Sequence, residues 1–249
     1  KGGVGKTTTA INLAAGLSQQ NKKILVIDLD PQGNATTGLG LSNTENSSET
    51  IYGVLNGSKN INDVIKKTSF DDLDIISSNV DLSGLEVETA GDNNRAFMLK
   101  VKLGAYLNDS VRQYDYILID CPPSLSLLTV MALVSSDSLV VPLQTEFFAL
   151  EGLTQLMKTI ERIKVNLNPK LNIRGILLTM YDKRNKLSSQ VEKEARDYFN
   201  EKVYTTVIPR NVRLSEAPSH GMPVLIYDKS CPGSKSYFNF TDEFINQET

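Results

Sequence analysis

The first eight residues, Lys1-Gly2-Gly3-Val4-Gly5-Lys6-Thr7-Thr8, combine three glycines with two lysines and two hydroxyl side chains. A backbone that approaches phosphate oxygens closely needs glycine, because a Cβ would clash and the loop uses unusual dihedral angles. A helix that begins at such a loop adds its positive end. The pattern therefore predicts a phosphate-binding loop, with Lys6 on the β/γ-phosphates and the Thr7 hydroxyl on Mg²⁺. The residues expected to bind the nucleotide phosphates are Gly2, Gly3, Val4, Gly5, Lys6, Thr7 and Thr8. The alternative is a glycine-rich turn before a helix.

The loop departs from the common pattern at its beginning. That pattern has a further glycine at a position that would precede Lys1, and a strand before the loop. We expect an initiating Met and an N-terminal strand, central to the sheet, to precede Lys1 in the full protein.

Three carboxylates follow apolar runs and are candidates for chemistry beside the phosphates. Asp28 and Asp30 come at the end of Ile24–Leu29, and Asp120 ends Tyr116–Asp120. A carboxylate at the end of a strand can hold Mg²⁺ beside a triphosphate, directly or through water. We expect Asp120 to take this role and all three to lie at one edge of the sheet. The alternatives are a turn-forming role for Asp30 before Pro31 and a helix N-cap for Asp120.

Strands and helices alternate along the chain. Short runs rich in Val, Ile and Leu are too apolar to alternate between core and solvent, as expected of strands covered on both faces. The predicted strands are Ile24–Leu29, Leu73–Ser77, Tyr116–Asp120, Ser138–Leu143, Ile173–Thr179 and Val203–Ile208; the predicted helices are Thr7–Gln19, Ala96–Leu107, Ser126–Val134, Ala149–Val165 and Leu187–Phe199. Ser42–Thr50 and Gly91–Asn94 are predicted surface loops. The pattern indicates an α/β fold with a doubly wound, mostly parallel sheet flanked by helices, in one domain over residues 1–249.

Composition excludes several classes of protein. The 249 residues are 40% hydrophobic and 22% charged with a net charge of −3, unlike disordered or fibrous chains. Apolar runs fall short of the roughly 18 residues that a membrane helix needs, and two cysteines are too few for a disulfide scaffold. Lys158–Arg213 contains 13 basic and 6 acidic residues, which indicates a surface that faces a polyanion or, alternatively, a solvated helical face. We expect a soluble cytoplasmic protein.

Four sequence blocks in this order resemble the ParA/Soj family of chromosome and plasmid partitioning ATPases, in the deviant Walker A branch that also contains MinD. The blocks are Lys1-Gly-Gly-Val-Gly-Lys-Thr, Ile24-Leu-Val-Ile-Asp-Leu-Asp-Pro-Gln-Gly-Asn-Ala-Thr36, Tyr116-Ile-Leu-Ile-Asp-Cys-Pro-Pro-Ser124 and Val207-Ile-Pro-Arg-Asn-Val-Arg-Leu-Ser-Glu-Ala-Pro-Ser-His-Gly221. The resemblance covers essentially the whole chain.

The resemblance implies roles for particular residues. The catalytic residues would be Asp30, which positions the attacking water with support from Asp28, together with Lys6 and Lys1. Lys1 would reach the partner's phosphates across an ATP-dependent sandwich homodimer, as an arginine finger does.

Other positions would bind the base and DNA. Pro209 and Asn211 would line the adenine pocket, and the absence of an Asn-Lys-x-Asp motif favours ATP over GTP. Arg184 and Arg213 would bind double-stranded DNA without sequence preference, with the solvated face as the alternative for Arg184. A ParB-type centromere-binding protein would stimulate hydrolysis, and the protein would associate with the nucleoid.

Three rival functions share this fold. A MinD-like membrane-cycling regulator needs a basic amphipathic C-terminal helix, but the tail from Tyr237 carries acids and no base. An iron–sulfur carrier is disfavoured because Cys121 and Cys231 do not fit the ligand positions. A nucleotide-binding module without turnover remains open. The aromatic residues Phe147, Phe148, Tyr237, Phe240 and Phe244 are expected to pack, as is Cys121, and His220 is expected in a loop.

Overall fold

The computed structural model of the chain describes residues 2–42, 46–109 and 113–247, and seven strands lie within these ranges. The strands are β1 Ile24–Asp28, β2 Ile65–Lys67, β3 Leu73–Ile76, β4 Tyr116–Asp120, β5 Ser138–Gln144, β6 Asn172–Tyr181 and β7 Val203–Pro209.

The strands form two hydrogen-bonded sheets. The first has the order β2-β3-β1-β4 and the second the order β5-β6-β7. Every pair is parallel except β2 with β3. In the first sheet, Asp28 at the end of β1 lies in register with Asp120 at the end of β4. Parallel pairing therefore brings two of the candidate carboxylates side by side.

Helices connect the strands. They are α1 Lys6–Gln19, α2 Asn34–Gly38, α3 Ile51–Leu55, α4 Ile61–Val64, α5 Leu85–Glu88, α6 Met98–Asp109, α7 Leu127–Ser135, α8 Ala149–Asn166, α9 Lys186–Phe199, α10 Val212–Glu216, α11 Val224–Tyr227 and α12 Pro232–Asn246. Short 3-10 helices occupy Ser47–Glu49, Val80–Gly84, Arg95–Phe97, Asn200–Lys202 and Ala217–His220.

The first sheet has a hydrophobic core on each face. Side chains of β1 alternate between them, with Ile24 and Val26 in the core under α1 and α12, and Leu25 and Ile27 in the core under α3, α4, α6 and α7. The core under α1 also contains Leu177 of β6. A third core packs α8 and α9 against β5, β6 and β7. Burial of β1 on both faces is the physical reason for its unbroken apolar sequence.

The six predicted strands and five predicted helices all occur, with their ends displaced by at most two residues. Gly91–Asn94 is an exposed turn. Of the predicted loop Ser42–Thr50, residues 43–45 lie outside the described residues, and Ser47–Glu49 forms a 3-10 helix. The sequence did not predict β2. This short antiparallel edge strand contains Lys66 and Lys67 and therefore lacks the apolar run of the other strands. The sequence also did not predict α12. The helices of five residues or fewer were not predicted because they contain too few turns for a periodic pattern.

Candidate functional site

The glycine loop lies at the N-terminus of α1 in the conformation that phosphate binding needs. Gly3 and Gly5 have φ angles of 75° and 89°, in the left-handed region. A Cβ on Gly5 would come no closer than 3.8 Å to Thr179, and one on Gly3 would meet nothing within 4 Å. Glycine is therefore required here for its backbone freedom and not for space. Lys1 lies outside the described residues.

Two neighbouring elements fix the loop. The Thr179 hydroxyl, near the end of β6, donates a hydrogen bond of 2.9 Å to the Val4 carbonyl oxygen. On the other side, a Cβ added to Gly2 would lie 3.7 Å from the Cβ of Pro123, so the segment after β4 runs close to the loop. Thr179 was not predicted as a site residue, because nothing in its residue type distinguishes it from other threonines that end strands.

Asp120 lies directly beside the loop and is almost fully buried. Its Oδ2 atom is buried without a hydrogen-bond partner among the described residues. The Thr7 hydroxyl hydrogen-bonds to the Asp120 carboxyl group, and the Lys6 ammonium is close enough to interact with it. A carboxylate with a free buried oxygen next to a threonine hydroxyl is a suitable ligand pair for Mg²⁺. The residues present therefore fit the predicted metal.

Burial raises the pKa values of two of the carboxyl groups, and the charges of neighbouring aspartates add to both shifts. Burial, followed by the charge of Asp28, raises the pKa of Asp120 from 3.8 to about 7. Burial raises the pKa of Asp28 to about 6, although hydrogen bonds from Thr36 and Asp30 oppose the shift. A bound cation and a nearby Lys6 would favour the charged forms of both groups.

Asp28 holds the segment that carries Asp30. Its Oδ2 accepts hydrogen bonds of 2.8 Å from both the backbone N–H and the hydroxyl of Thr36, and its Oδ1 accepts one from the Asp30 N–H. The Asp30 Oδ1 in turn accepts from the Gln32 N–H at 3.0 Å. Hydrogen bonds therefore link Asp30 through its backbone to Asp28 and Thr36, and through its carboxyl group to Gln32.

Pro209 and Asn211 lie at and just beyond the end of β7. This strand is the hydrogen-bonded neighbour of β6, which carries Thr179. Pro209 is in register with Tyr181 at the end of β6. The Asn211 side chain caps α10 and accepts a hydrogen bond of 3.1 Å from the Arg213 N–H. These positions lie at the carboxyl edge of the sheet, where open α/β sheets bind ligands.

The two candidate DNA-binding arginines are exposed, and each is paired with acid. Arg184, with a side chain 91% exposed, donates through Nε and Nη2 to both oxygens of Asp182, at 3.1 and 3.0 Å. Arg213 pairs with Glu216 at 2.7 Å and with Asp228 at 3.5 Å. The hydrogen bond from Arg184 lowers the pKa of Asp182. The structure thus exposes both arginines, and Arg213 lies next to Asn211 of the expected adenine pocket.

The expectation that Phe147 and Phe148 pack in the core was wrong. Their side chains are 73% and 65% exposed, and the rings contact each other edge to face. They follow β5 at the turn before α8, so the core beneath is filled by Ala149 and Leu153 instead. By contrast, the expectation for the tail was right, since Tyr237, Phe240 and Phe244 of α12 are buried in the core under α1.

The two cysteines and the histidine make contacts within the fold. Burial raises the pKa of the Cys121 thiol well above its ordinary value, as expected of a core residue. Cys231 is the buried N-cap of α12. His220 ends a 3-10 helix and stacks on Tyr227. Within the described residues, no cluster of three or more metal-ligating side chains occurs and no helix is long and apolar enough to cross a membrane.

The parallel α/β fold and its glycine loop define a P-loop nucleoside-triphosphatase. A protein-family model described as an AAA domain matches residues 1–173. The chromosome partitioning protein ParA of Caulobacter vibrioides is 53% identical over 248 residues, which cover 100% of this chain and 92% of that protein. The sporulation initiation inhibitor protein Soj of Bacillus subtilis is 48% identical over 244 residues, 98% of this chain and 94% of that protein. The chain therefore belongs to the ParA/Soj family of partitioning ATPases.

Solved structures share the fold. Cobyrinic acid a,c-diamide synthase from Mycobacterium smegmatis, crystallised with bound ADP and magnesium, is 31% identical with a TM-score of 0.85. The match covers 100% of this chain and 92% of that one.

Proposed function

We propose that this chain is an ATP-dependent DNA-segregation ATPase. Binding of Mg-ATP drives a sandwich homodimer that binds double-stranded DNA non-specifically, and partner-stimulated hydrolysis to ADP and phosphate releases it. The observation that carries the nucleotide chemistry is the free, buried Asp120 Oδ2 beside Thr7, at a loop whose glycines have left-handed backbones. This combination supplies the anion site and a cation ligand together.

Each residue of the site has a distinct task. The glycine loop and the N-terminus of α1 bind the phosphates, Lys6 neutralises the β/γ-oxygens, and Thr7 and Asp120 hold Mg²⁺. Bound Mg²⁺ supplies charge stabilisation to the transferring phosphoryl group. Asp30 accepts a hydrogen bond from the attacking water, and the Asp28–Thr36 network keeps Asp30 in position. Lys1 supplies further positive charge in trans, and Pro209 and Asn211 line the adenine pocket.

Exposed apolar side chains support the dimer. Leu125, 57% exposed, lies two residues beyond Pro123, which is close to Gly2 of the phosphate loop. Phe147 and Phe148 follow the carboxyl end of β5. Solvent-exposed aromatic residues near a ligand site are typical of interfaces. A second copy that covers the phosphate loop would bury these side chains and enclose the γ-phosphate.

The exposed Arg184 and Arg213 support DNA binding. Both lie after carboxyl ends of strands in the second sheet, within the basic part of the sequence. The sequence shows no base-reading motif, so these residues would contact phosphates alone, and binding would depend strongly on salt. The dimer would therefore associate with the nucleoid in the cytoplasm, and a ParB-type protein would be the partner that stimulates hydrolysis.

The membrane-cycling alternative gains no support from α12. A membrane-binding helix presents its apolar face to lipid. The aromatic face of α12 instead packs into the core under α1, and the Tyr237 hydroxyl lies 3.1 Å from the Thr9 hydroxyl. We therefore retain DNA as the surface to which the dimer binds.

The Lys6→Ala variant tests the nucleotide site. Loss of the cation that faces the β/γ-phosphates should reduce ATP affinity at least a hundredfold and abolish phosphate release. The matched control is Lys23→Ala, since Lys23 is exposed before β1, at the opposite edge of the sheet. Both variants are compared by titration with a fluorescent ATP analogue. An unchanged ATP affinity in Lys6→Ala would contradict the proposed site.

A further inference from the structure

The helix that follows the phosphate loop has a buried polar face. Thr9, Asn12 and Gly16 are spaced three and four residues apart in α1, so they lie on one side of the helix. Thr9 and Asn12 are almost fully buried. Asparagine is a weak helix former, and a buried amide costs free energy unless its hydrogen bonds are made. A buried asparagine inside α1 therefore needs partners for both ends of its amide.

Both ends of the Asn12 amide have a partner. The Nδ2 atom donates a hydrogen bond of 2.8 Å to the Thr8 carbonyl oxygen within α1. The Oδ1 atom accepts a hydrogen bond of 2.8 Å from the backbone N–H of Val224, 212 residues further along the chain. Val224 is the first residue of α11, and the N–H groups at the start of a helix have no partner within that helix. Asn12 therefore ties the start of α11 to α1.

The same face of α1 also holds α12 close. The Thr9 hydroxyl lies 3.1 Å from the Tyr237 hydroxyl, and both groups are buried. A Cβ on Gly16 would overlap the Thr241 hydroxyl, so the close approach of α1 and α12 requires glycine at this position. The polar face of α1 is thus the surface against which α11 and α12 are fixed.

The helix that begins at the expected adenine pocket is joined to α11 and α12. Arg213 of α10 pairs with Asp228, the residue after α11, at 3.5 Å. A Cβ on Gly233 of α12 would overlap the side chain of Leu214 of α10. Asn211, which is assigned to the adenine pocket, caps α10. A shift of α11 relative to α1 would therefore move Asn211 relative to the phosphate loop.

We propose that Asn12 is a positioning residue for the nucleotide, because its hydrogen bond to Val224 sets the adenine segment Pro209–Asn211 in place relative to the phosphate loop. An apolar side chain could fill the same space, but hydrogen bonds are directional and fix one arrangement of the two helices. One nucleotide must reach both the loop and the adenine pocket, so a small displacement of either weakens binding. The inference deepens the proposed function and rests on its adenine pocket.

Two variants remove the hydrogen bond from opposite sides. Asn12→Ala removes the acceptor. Val224→Pro removes the donor, and proline is tolerated at the first position of a helix. We expect each variant to weaken Mg-ATP binding about tenfold and to leave binding of Mg-tripolyphosphate, which has no base, within about twofold of wild type. Isothermal titration calorimetry measures both affinities. The KM for ATP should rise while kcat stays within about twofold, since the residues at the phosphates are unchanged.

Matched controls separate this role from general loosening of the fold. Val224→Ala keeps the backbone N–H and removes most of the side chain, so it should retain the preference for ATP over tripolyphosphate. Tyr237→Phe removes the other buried hydrogen bond between α1 and α12 and should retain it as well. The double variant Asn12→Ala/Val224→Pro should bind ATP no more weakly than either single variant, because both changes remove the same hydrogen bond. If Asn12→Ala does not fold, the two Val224 variants still decide the question.

Several outcomes would overturn the proposal. They are equal weakening of ATP and tripolyphosphate binding, additive losses in the double variant, and loss of the ATP preference in either control. If wild type prefers ATP and Val224→Pro retains that preference, only the positioning role of Asn12 fails. If wild type binds tripolyphosphate as tightly as ATP, the adenine pocket of the proposed function fails, and the inference fails with it. The two failures are therefore distinguishable.

Discussion

Asp120 combines deep burial, a neighbouring carboxylate and a free oxygen. Burial and the Asp28 charge raise its pKa to about 7, above the 3.8 of an ordinary aspartate. Between these two values the folded state binds a proton that the unfolded state has released. The free energy of unfolding therefore falls as the pH rises from about 4 to 7, and the penalty is fully present above pH 7.

Asp120→Asn should remove this penalty from the nucleotide-free protein. A gain of at least about 1 kcal/mol at pH 8 corresponds to about 2–4 °C or more in the melting temperature, and it should shrink at pH 5. Thermal melts at the two pH values check this, with the exposed Asp81→Asn as control. The same variant should lose most of the stabilisation that Mg-ATP gives wild type. Equal melting of variant and wild type at pH 8 would contradict the burial argument.

Asp30→Ala should separate nucleotide binding from hydrolysis. If Asp30 only orients the attacking water, ATP and Mg²⁺ still bind and the dimer accumulates, while phosphate release falls at least about a hundredfold. Size-exclusion chromatography with ATP and a phosphate-release assay measure the two effects. Asp30→Asn is the matched control for loop structure, because its amide oxygen can still accept from the Gln32 N–H. If Asp30→Ala hydrolysed ATP at the wild-type rate, Asp30 would not position the attacking water, and Asp28 would be the next candidate.

At the scale of elements, the segments after β4 and β5 present the exposed apolar side chains of Leu125, Phe147 and Phe148. Replacing both Phe147 and Phe148 by serine should weaken the ATP-dependent dimer at least tenfold, because large exposed aromatic area would no longer be buried on association. The fold should be unaffected, since these rings are mostly exposed. Sedimentation velocity with ATP measures the dimer, and Val87→Ser, at an exposed position of α5, is the control. A dimer of wild-type affinity would exclude this surface as the interface.

At the scale of the whole molecule, a basic segment belongs to a chain of net negative charge, and two of its exposed arginines, Arg184 and Arg213, are paired with acids. Arg184 must release or share Asp182 to contact a phosphate. Exposed ion pairs are weak, because solvent screens them, so DNA can compete for the guanidinium. The same pairing implies that Asp182 opposes DNA binding.

Arg184→Ala should therefore flatten the slope of log K against log salt by about 0.9 per site, or about 1.8 per dimer. Asp182→Asn should act in the opposite direction and raise affinity for duplexes of any sequence. Arg162→Ala is the control, at an exposed position of α8 in the same basic segment. Filter binding over a salt series gives the slopes. If Arg184→Ala and Arg162→Ala behave alike while ATP still drives dimerisation, the basic segment is only a solvated face.

Much of the site was predictable because it is local in sequence. The glycines of the loop, Lys6 and Thr7 are consecutive, and Asp28 and Asp120 each end an apolar run, so residue type and position were sufficient. The strands and long helices were predictable for a similar reason, since burial on both faces leaves an unbroken apolar pattern. The ends of these elements moved by no more than two residues.

The tertiary structure decided what depends on contacts between distant segments. Only pairing in register brings Asp28 beside Asp120, only burial in the folded chain raises their pKa values, and only the approach of β6 to the loop identifies Thr179. Packing also decides which aromatic residues are buried. The turn before α8 leaves Phe147 and Phe148 exposed to solvent, whereas the aromatic face of α12 is buried in the core under α1. The core that α8 and α9 share with the second sheet joins segments that are distant in the sequence. Its existence follows from tertiary packing, which residue types alone do not specify.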